Sequence, residues 1–248
     1  MRTSLSSLPF IIAILLCFIQ CEKEQDPNKP VDIPDVEFLN ALIEAGVDIN
    51  GDGIISYGEA EKVTVINLDP PEDSIGRRIG KISNLKGLEA FINLDTLHTC
   101  YNPIQELDVS ANTELKVLVC WGNGLLHLDL SNNQKLRRVS LDGNQLTSID
   151  VSNASQLETL WCTYNNLTSL DVSNNKNLSS LYCDCNQLTK LDISNNIQLG
   201  TKSNPALSIG DMPALTEVCV WIMPFPPAGL EINSTGSPNV FFTTDCSK

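Results

Sequence analysis

Leu157-Glu-Thr-Leu-Trp-Cys-Thr-Tyr-Asn-Asn-Leu-Thr-Ser-Leu-Asp-Val-Ser-Asn-Asn175 is one of five stretches that fall under one another when the sequence is wrapped at a 21-residue period. The first column is Leu94, Leu115, Leu136, Leu157, Leu178 and, opening a further line, Leu199. The fourth is Leu97, Leu118, Val139, Leu160 and Leu181. Further apolar columns run through Ile104, Leu107 and Val109, through Leu125, Leu128 and Leu130, and onward at the same step. The ninth column is asparagine throughout: Asn102, Asn123, Asn144, Asn165 and Asn186. A fixed period of this length means stacked coils, because so short a segment cannot bury its own apolar side. Stacking makes one continuous core, with strands about 4.8 Å apart. A buried Asn then has a task, to bond backbone groups of the next coil that a turn would orphan.

The pattern L-x-x-L-x-C-x-x-N-x-L-x-x-L-D-V-S resembles the leucine-rich repeat family in its short bacterial form, over residues 63–222. The resemblance implies a β-rich solenoid and protein interaction, often at a bacterial surface. A 21-residue coil leaves little room for a helix, so extended segments are expected around both Leu-x-x-Leu stretches. Degenerate coils close the ends. Val65-Ile66-Asn67-Leu68 reads as a first strand, followed by an insertion from Asp69 to Gly80. After Leu199 a shortened coil is expected, with the spacing resuming at Leu215, Val218 and Val220 and a β-rich C-terminal cap over 223–248.

The sixth column holds Thr99, Cys120, Leu141, Cys162 and Cys183. Stacked thiols suit metal or redox chemistry, but cysteine also packs as a small apolar side chain, and a buried ladder is the reading adopted. Parallel Cβ bonds suit disulfides poorly, and the resemblance to internalin-type cysteine ladders agrees. The column Asp108, Asp129, Asp150, Asp171 and Asp192, two residues before a serine in each line, offers either stacked calcium sites or turn bonds to backbone amides. Turn bonds are the commoner use of short acids. Cys219 and Cys246 flank the C-terminal segment and are a candidate disulfide in an oxidising location.

One segment carries metal chemistry. Asp48-Ile-Asn-Gly-Asp-Gly-Ile-Ile-Ser-Tyr-Gly-Glu59 matches the EF-hand loop. Asp48, Asn50 and Asp52 offer side-chain oxygens, Ile54 its carbonyl, Ser56 a direct or water-borne contact, and Glu59 two oxygens, which meets calcium's demand for six to eight hard ligands. A helix is expected from Val36 to Ala45, ended by Gly46, and a short exit helix from Glu59. There is one loop, where calcium sensors usually pair two, so Ca2+ is expected to staple an N-terminal cap over 35–62 and not to act as a switch.

The third, fifth, seventh and eighth positions are expected to face out from the sheet. They carry His98, Tyr101, Trp121, Trp161, Tyr164 and Tyr182, the candidate ligand-binding residues. Trp and Tyr concentrate binding energy, although cross-strand packing of the rings on each other is the competing use. No G-x-S-x-G, H-E-x-x-H or phosphate-loop motif is present, so no catalytic residue is assigned.

The address comes from the start of the chain. Arg2 precedes a run from Leu8 to Ile19, apolar except for Pro9 and too short to span a bilayer. It ends at Cys21, which resembles the lipidated cysteine of bacterial lipoproteins, although Gln20 stands where that family prefers a small residue. An ordinary cleaved signal peptide is the alternative. Residues 1–21 thus read as an export signal and 22–34 as a tether. With 30 acidic against 16 basic residues and a net charge of −14, nucleic acid is excluded as a partner and a membrane is reached only through the lipid. The expectation is a monomeric, non-enzymatic protein, lipid-anchored at the outer membrane or cell surface. Its partner is a protein or a glycan; a purely structural role is the third reading.

Overall fold

The computed structural model describes residues 26–72, 74–201, 206–228 and 230–246. The export signal, Cys21 and residues 22–25 of the tether lie outside them. Among the described residues no helix is long and apolar enough to cross a membrane.

The chain is a β-solenoid. Its main sheet is parallel, in the order β1 (Val65–Asn67), β2 (Thr96–His98), β3 (Val117–Val119), β4 (Arg138–Ser140), β5 (Thr159–Trp161), β6 (Ser180–Tyr182), β8 (Leu207–Ser208) and β10 (Ile232–Asn233). The register keeps the apolar column intact: Ile66, Leu97, Leu118, Val139, Leu160, Leu181 and Leu207 are lateral partners. A slip of one residue would turn that column to solvent, so the burial pattern fixes the register. A second sheet on the far side holds β7 (Lys190–Asp192), β9 (Glu217–Cys219) and β11 (Phe241–Thr243).

Two expectations need correction. The second Leu-x-x-Leu stretch forms no strand in the earlier coils, where one rung per coil is made, such as Gln145 N to Leu125 O and Asn166 N to Leu146 O. The Asp-x-Ser turn follows at once in these coils, as Ser152 N on Asp150 Oδ1, and it also follows Lys190–Asp192, where the pairing does reach strand length. The coil after Leu199 is lengthened, not shortened. Leu207 pairs with Leu181, where the regular step would bring position 202, and Val218 pairs with Leu191, where it would bring Met212. Leu215, Val218 and Val220 therefore continue the second stretch. The added residues give the last coils enough chain for strands on both sides, and β10 and β11 carry the solenoid past residue 222 as further rungs.

The asparagine column is buried and bonds the preceding coil, except at Asn123, which is partly exposed. Asn165 Nδ2 donates to Leu141 O (3.0 Å) and Cys162 O (3.1 Å), and its Oδ1 accepts from Leu146 N (3.1 Å). Asn144 and Asn186 repeat the arrangement. A second ladder, not anticipated, runs through Asn112, Asn133, Asn175 and Asn196, all fully buried, with Ala154 at the equivalent place. Asn133 Nδ2, for example, donates to Val109 O and Asn112 O, both at 2.9 Å. The acidic column bonds turn amides in every coil, from Asp108 to Asp192.

At the N-terminal end, α1 (Val36–Glu44) lays Phe38 and Leu42 into the core shared with the coils. Asp35 Oδ1 caps α1, while its Oδ2 accepts from the amides of Ser83 and Asn84, tying the helix to the first coil. The exit helix α2 is Tyr57–Ala60, starting two residues before Glu59 because Glu59 closes its first turn onto Ser56. Residues 26–31 are no free tether. Val31 is buried, its amide donates to Ile55 O, and Gly58 N donates to Pro27 O, so this segment lies along the loop.

Asn165→Ala orphans the buried Leu146 amide, while Leu141 O and Cys162 O keep the Asn144 and Asn186 amides, and it is expected to cost about 1–3 kcal/mol in urea unfolding. Asn123→Ala, whose amide makes one bond at 3.3 Å to Trp121 O, is expected to cost less than about 1 kcal/mol.

Candidate binding face

Every coil turns at its eighth position through left-handed backbone, with Tyr101 at φ 56°, Gly122 at 59°, Gly143 at 66°, Tyr164 at 54° and Cys185 at 53°. This turn carries Tyr101 and Tyr164 outward, and they are 40% and 65% exposed. Gly122 matters for a second reason: a Cβ there would come within 2.9 Å of the Tyr101 ring, which rests on the bare backbone.

Trp121, Trp161 and Tyr182 form a continuous stack. The indoles are 6.4 Å apart between centroids and tilted by 37°; Trp161 and Tyr182 are 5.4 Å apart and stacked at 11°. The indoles are also anchored. Trp121 Nε1 donates to Ser140 Oγ, which donates to Asp142 Oδ2 at 2.9 Å, while Asp142 Oδ1 accepts from Thr163 N at 2.8 Å. Trp161 Nε1 donates to Ser180 Oγ at 3.3 Å. Ser140 and Ser180 are buried, as is Cys100, whose amide donates to Asp69. These three were expected to be exposed. The pleat turns them outward, and hydrogen-bonded neighbours close over them. Both uses of the aromatics are thus present at once, since the rings pack on each other and remain half-exposed.

Between the aromatics lies a hollow of about 630 Å³. His98, Tyr101, Trp121 and Trp161 line it together. Tyr182 stacks on its edge and Tyr164 stands apart from it. Asp69, Arg78, Arg138 and Thr159 complete the wall and were not singled out from the sequence. Arg138 breaks a column otherwise filled by Thr96, Val117, Thr159 and Ser180, which was a readable signal. Asp69 and Arg78 sit in the insertion, outside any periodicity. A smaller hollow of about 350 Å³ adjoins it, sharing Arg138 and Thr159.

The hollow brings together His98, Cys100 and Asp69, the residue types of a cysteine nucleophile with its base. His98 Nδ1 is 3.7 Å from Asp69 Oδ2. Burial pushes the Cys100 thiol up to about 12, and its Sγ faces Val119 O at 3.9 Å. A thiol so buried is protonated at neutral pH and is a poor nucleophile. Burial likewise holds the Asp142 carboxyl above the usual carboxylate range, against the bonds from Ser140 and Thr163.

The calcium-type loop is wound around its first residue. Asp48 Oδ1 accepts from Gly51 N (2.8 Å) and Oδ2 from Gly53 N (2.9 Å). Gly53 has φ 80°, as the tight turn requires. Asn50 and Asp52 bond each other, and Ile54 N donates to Asp52 Oδ1. Glu59 is buried, with Oε1 on Ile49 N (2.9 Å) and Oε2 on Ser56 N (2.9 Å) and Ser56 Oγ (2.8 Å). These bonds, the Ser56 amide foremost, hold Glu59 below its ordinary value. All the candidate donors are hard oxygens. Among the described residues, the only acidic, imidazole or thiol side chains found in a group of three with ligating atoms within 4.8 Å of one another are Asp192, Cys219 and Cys246. In that group Cys219 and Cys246 are bonded to each other as a disulfide, with Cα atoms 5.5 Å apart.

No family model matches the chain, and no curated protein does. It superposes on an internalin, inlF, of Listeria monocytogenes at 17% identity and a TM-score of 0.57, covering 90% of this chain and 58% of that one. A leucine-rich-repeat protein of Leptospira interrogans matches at 20% identity and 0.54, covering 76% and 51%. The fold is a leucine-rich-repeat β-solenoid. A second Listeria internalin, inlC2, matches at 16% and 0.50, covering 89% of this chain and 98% of that one. The chain spans just over half the length of the first two, and at these identities the likeness is one of fold.

Within the repeat, Cys120, Cys162 and Cys183 are fully buried and in no disulfide, with burial raising each thiol. Cys185, on the outer turn, is partly exposed. Of the five free cysteines from Cys100 to Cys185, a thiol reagent is expected to label Cys185 alone in the native protein. Rapid labelling of the inner three would disprove a packed ladder.

Proposed function

We propose that this protein is a non-catalytic binding module of the cell surface, which holds a partner against the aromatic face of its repeat sheet in protein interaction or adhesion. The observation that carries the reading is the Trp121–Trp161–Tyr182 stack, anchored by hydrogen bonds beneath and half-exposed above. Rigid aromatic anchors lose little entropy on binding and are typical of hot spots. The Cys21 anchor and the export signal supply the location in this reading. Cys100, the nucleophile beside His98 in the hollow, is buried and its thiol is pushed up by that burial, which favours binding over catalysis. Glycan capture is the second reading, favoured by the hollow of about 630 Å³ that both indoles wall, a size suited to one or two sugar rings.

The test is alanine substitution at Trp121, Trp161 and Tyr182, each alone. Capture of the partner, scored by adhesion of protein-coated beads to target cells, is expected to fall at least tenfold, with the β-sheet circular dichroism unchanged. Undiminished adhesion, or unfolding of all three variants, would make the aromatics scaffold only.

The loop from Asp48 to Glu59 takes one structural Ca2+ in the same account, through Asp48, Asn50, Asp52, the Ile54 carbonyl, Ser56 and Glu59. Support comes from the wound backbone at Gly51 and Gly53 and from the all-oxygen donor set. The ion would draw the loop's carboxylates together and fasten 26–62 to the first coil. Excess chelator is expected to lower the melting temperature, and added Ca2+ to restore it. An unchanged melt would rule the ion out.

A further inference from the structure

Arg138 stands out from β4 with Val117 and Thr159 as its lateral neighbours, so no carboxylate flanks it in the ladder. Its guanidinium is exposed and has no ion-pair partner among the described residues. The other basic residues of the two adjoining hollows are neutralised: Arg78 by Glu72 (3.1 Å), Lys116 by Asp95 (3.4 Å), and Arg137 by Glu158. The acids of the larger hollow's side are turned inward, since Asp69 accepts from the Cys100 amide and Asp142 from Ser140 and Thr163. A protein of net charge −14 thus leaves one unspent cation at the junction of the hollows, on the wall that Trp121 and Trp161 share.

The backbone adds a constraint on the ligand. Strands β2 to β5 are paired on both sides, so this face offers no edge to which a peptide strand could add. Recognition falls to side chains: two indoles, a fork of N–H donors, and the polar ends of Thr159 and His98. We infer that the face takes a saccharide bearing a carboxylate, with the carboxylate on Arg138, the C–H face of its ring against Trp121 at the end of the stack, and neighbouring rings lying in the adjoining hollow. A planar guanidinium matches a carboxylate through two parallel hydrogen bonds, a geometry that lysine lacks. The inference rests on the glycan reading above and adds to it the charge of the sugar and the residue that selects it.

The experiment is calorimetric titration of the full chain, in detergent, with two matched pairs: trigalacturonate against its methyl ester, and sialyllactose against lactose. A polyglutamate peptide is the fifth probe. At least one acidic sugar is expected to bind tenfold or more tightly than its neutral counterpart, and the pair that shows it separates uronate from sialate. Arg138→Gln is expected to remove that preference with the melting temperature unchanged, and Arg138→Lys to retain only part of it. Equal binding within both pairs, a preference that survives Arg138→Gln, or no binding of any sugar would overturn the inference. Tighter binding of polyglutamate would replace the sugar by an acidic peptide. If cell adhesion is lost with Trp161→Ala but kept with Arg138→Gln, the binding face stands and the acidic sugar falls.

Discussion

Everything in this molecule depends on the pairing of each coil with the one before it. No single coil closes a core or satisfies its own turns. Asn165 illustrates the dependence, because its amide bonds the carbonyls of Leu141 and Cys162 together, and its oxygen takes the amide of Leu146. The apolar column and the asparagine column thus enforce the same register by different means. Leucine penalises a slip by exposing apolar area, and asparagine by orphaning buried polar groups. The second asparagine ladder, at Asn112, Asn133, Asn175 and Asn196, repeats the device on another side of the coil.

Stacking in register also converts every sequence column into a ladder in space, and function arises where a column is broken. The coil from Leu136 to Gln156 departs most from the repeat. It has Leu141 where three others have cysteine, Arg138 where others are neutral, and small Ser140 and Gly143 beside Trp161 and Tyr164 of the next coil. It is the coil that Trp121 and Trp161 flank. Small side chains there let the indoles lean together, and Ser140 receives the indole N–H of Trp121. The surface hollow is the consequence of one coil made lower than its neighbours.

Much of this was legible in the residues themselves. Periodicity fixed the inward columns because burial in a solenoid follows position in the coil, and the Asp-x-Ser turns followed from short-range chemistry. Three features were hidden. The lengthening of the last coils depends on where chain is inserted, and a regular leucine at Leu215 disguised it as a shorter step. Burial of Ser140, Ser180 and Cys100 depends on side chains leaning across from neighbouring coils and loops, which pleat alternation does not encode. Asp69 and Arg78 reach the hollow from an insertion with no pattern at all.

The most direct test of in-register stacking is deletion of one whole coil, residues 136–156, followed by circular dichroism and thermal melting. Interchangeable coils predict a shorter protein that keeps the β-sheet spectrum and melts in a single transition at a lower temperature. Loss of the β signal, or a spectrum dominated by helix, would contradict the account.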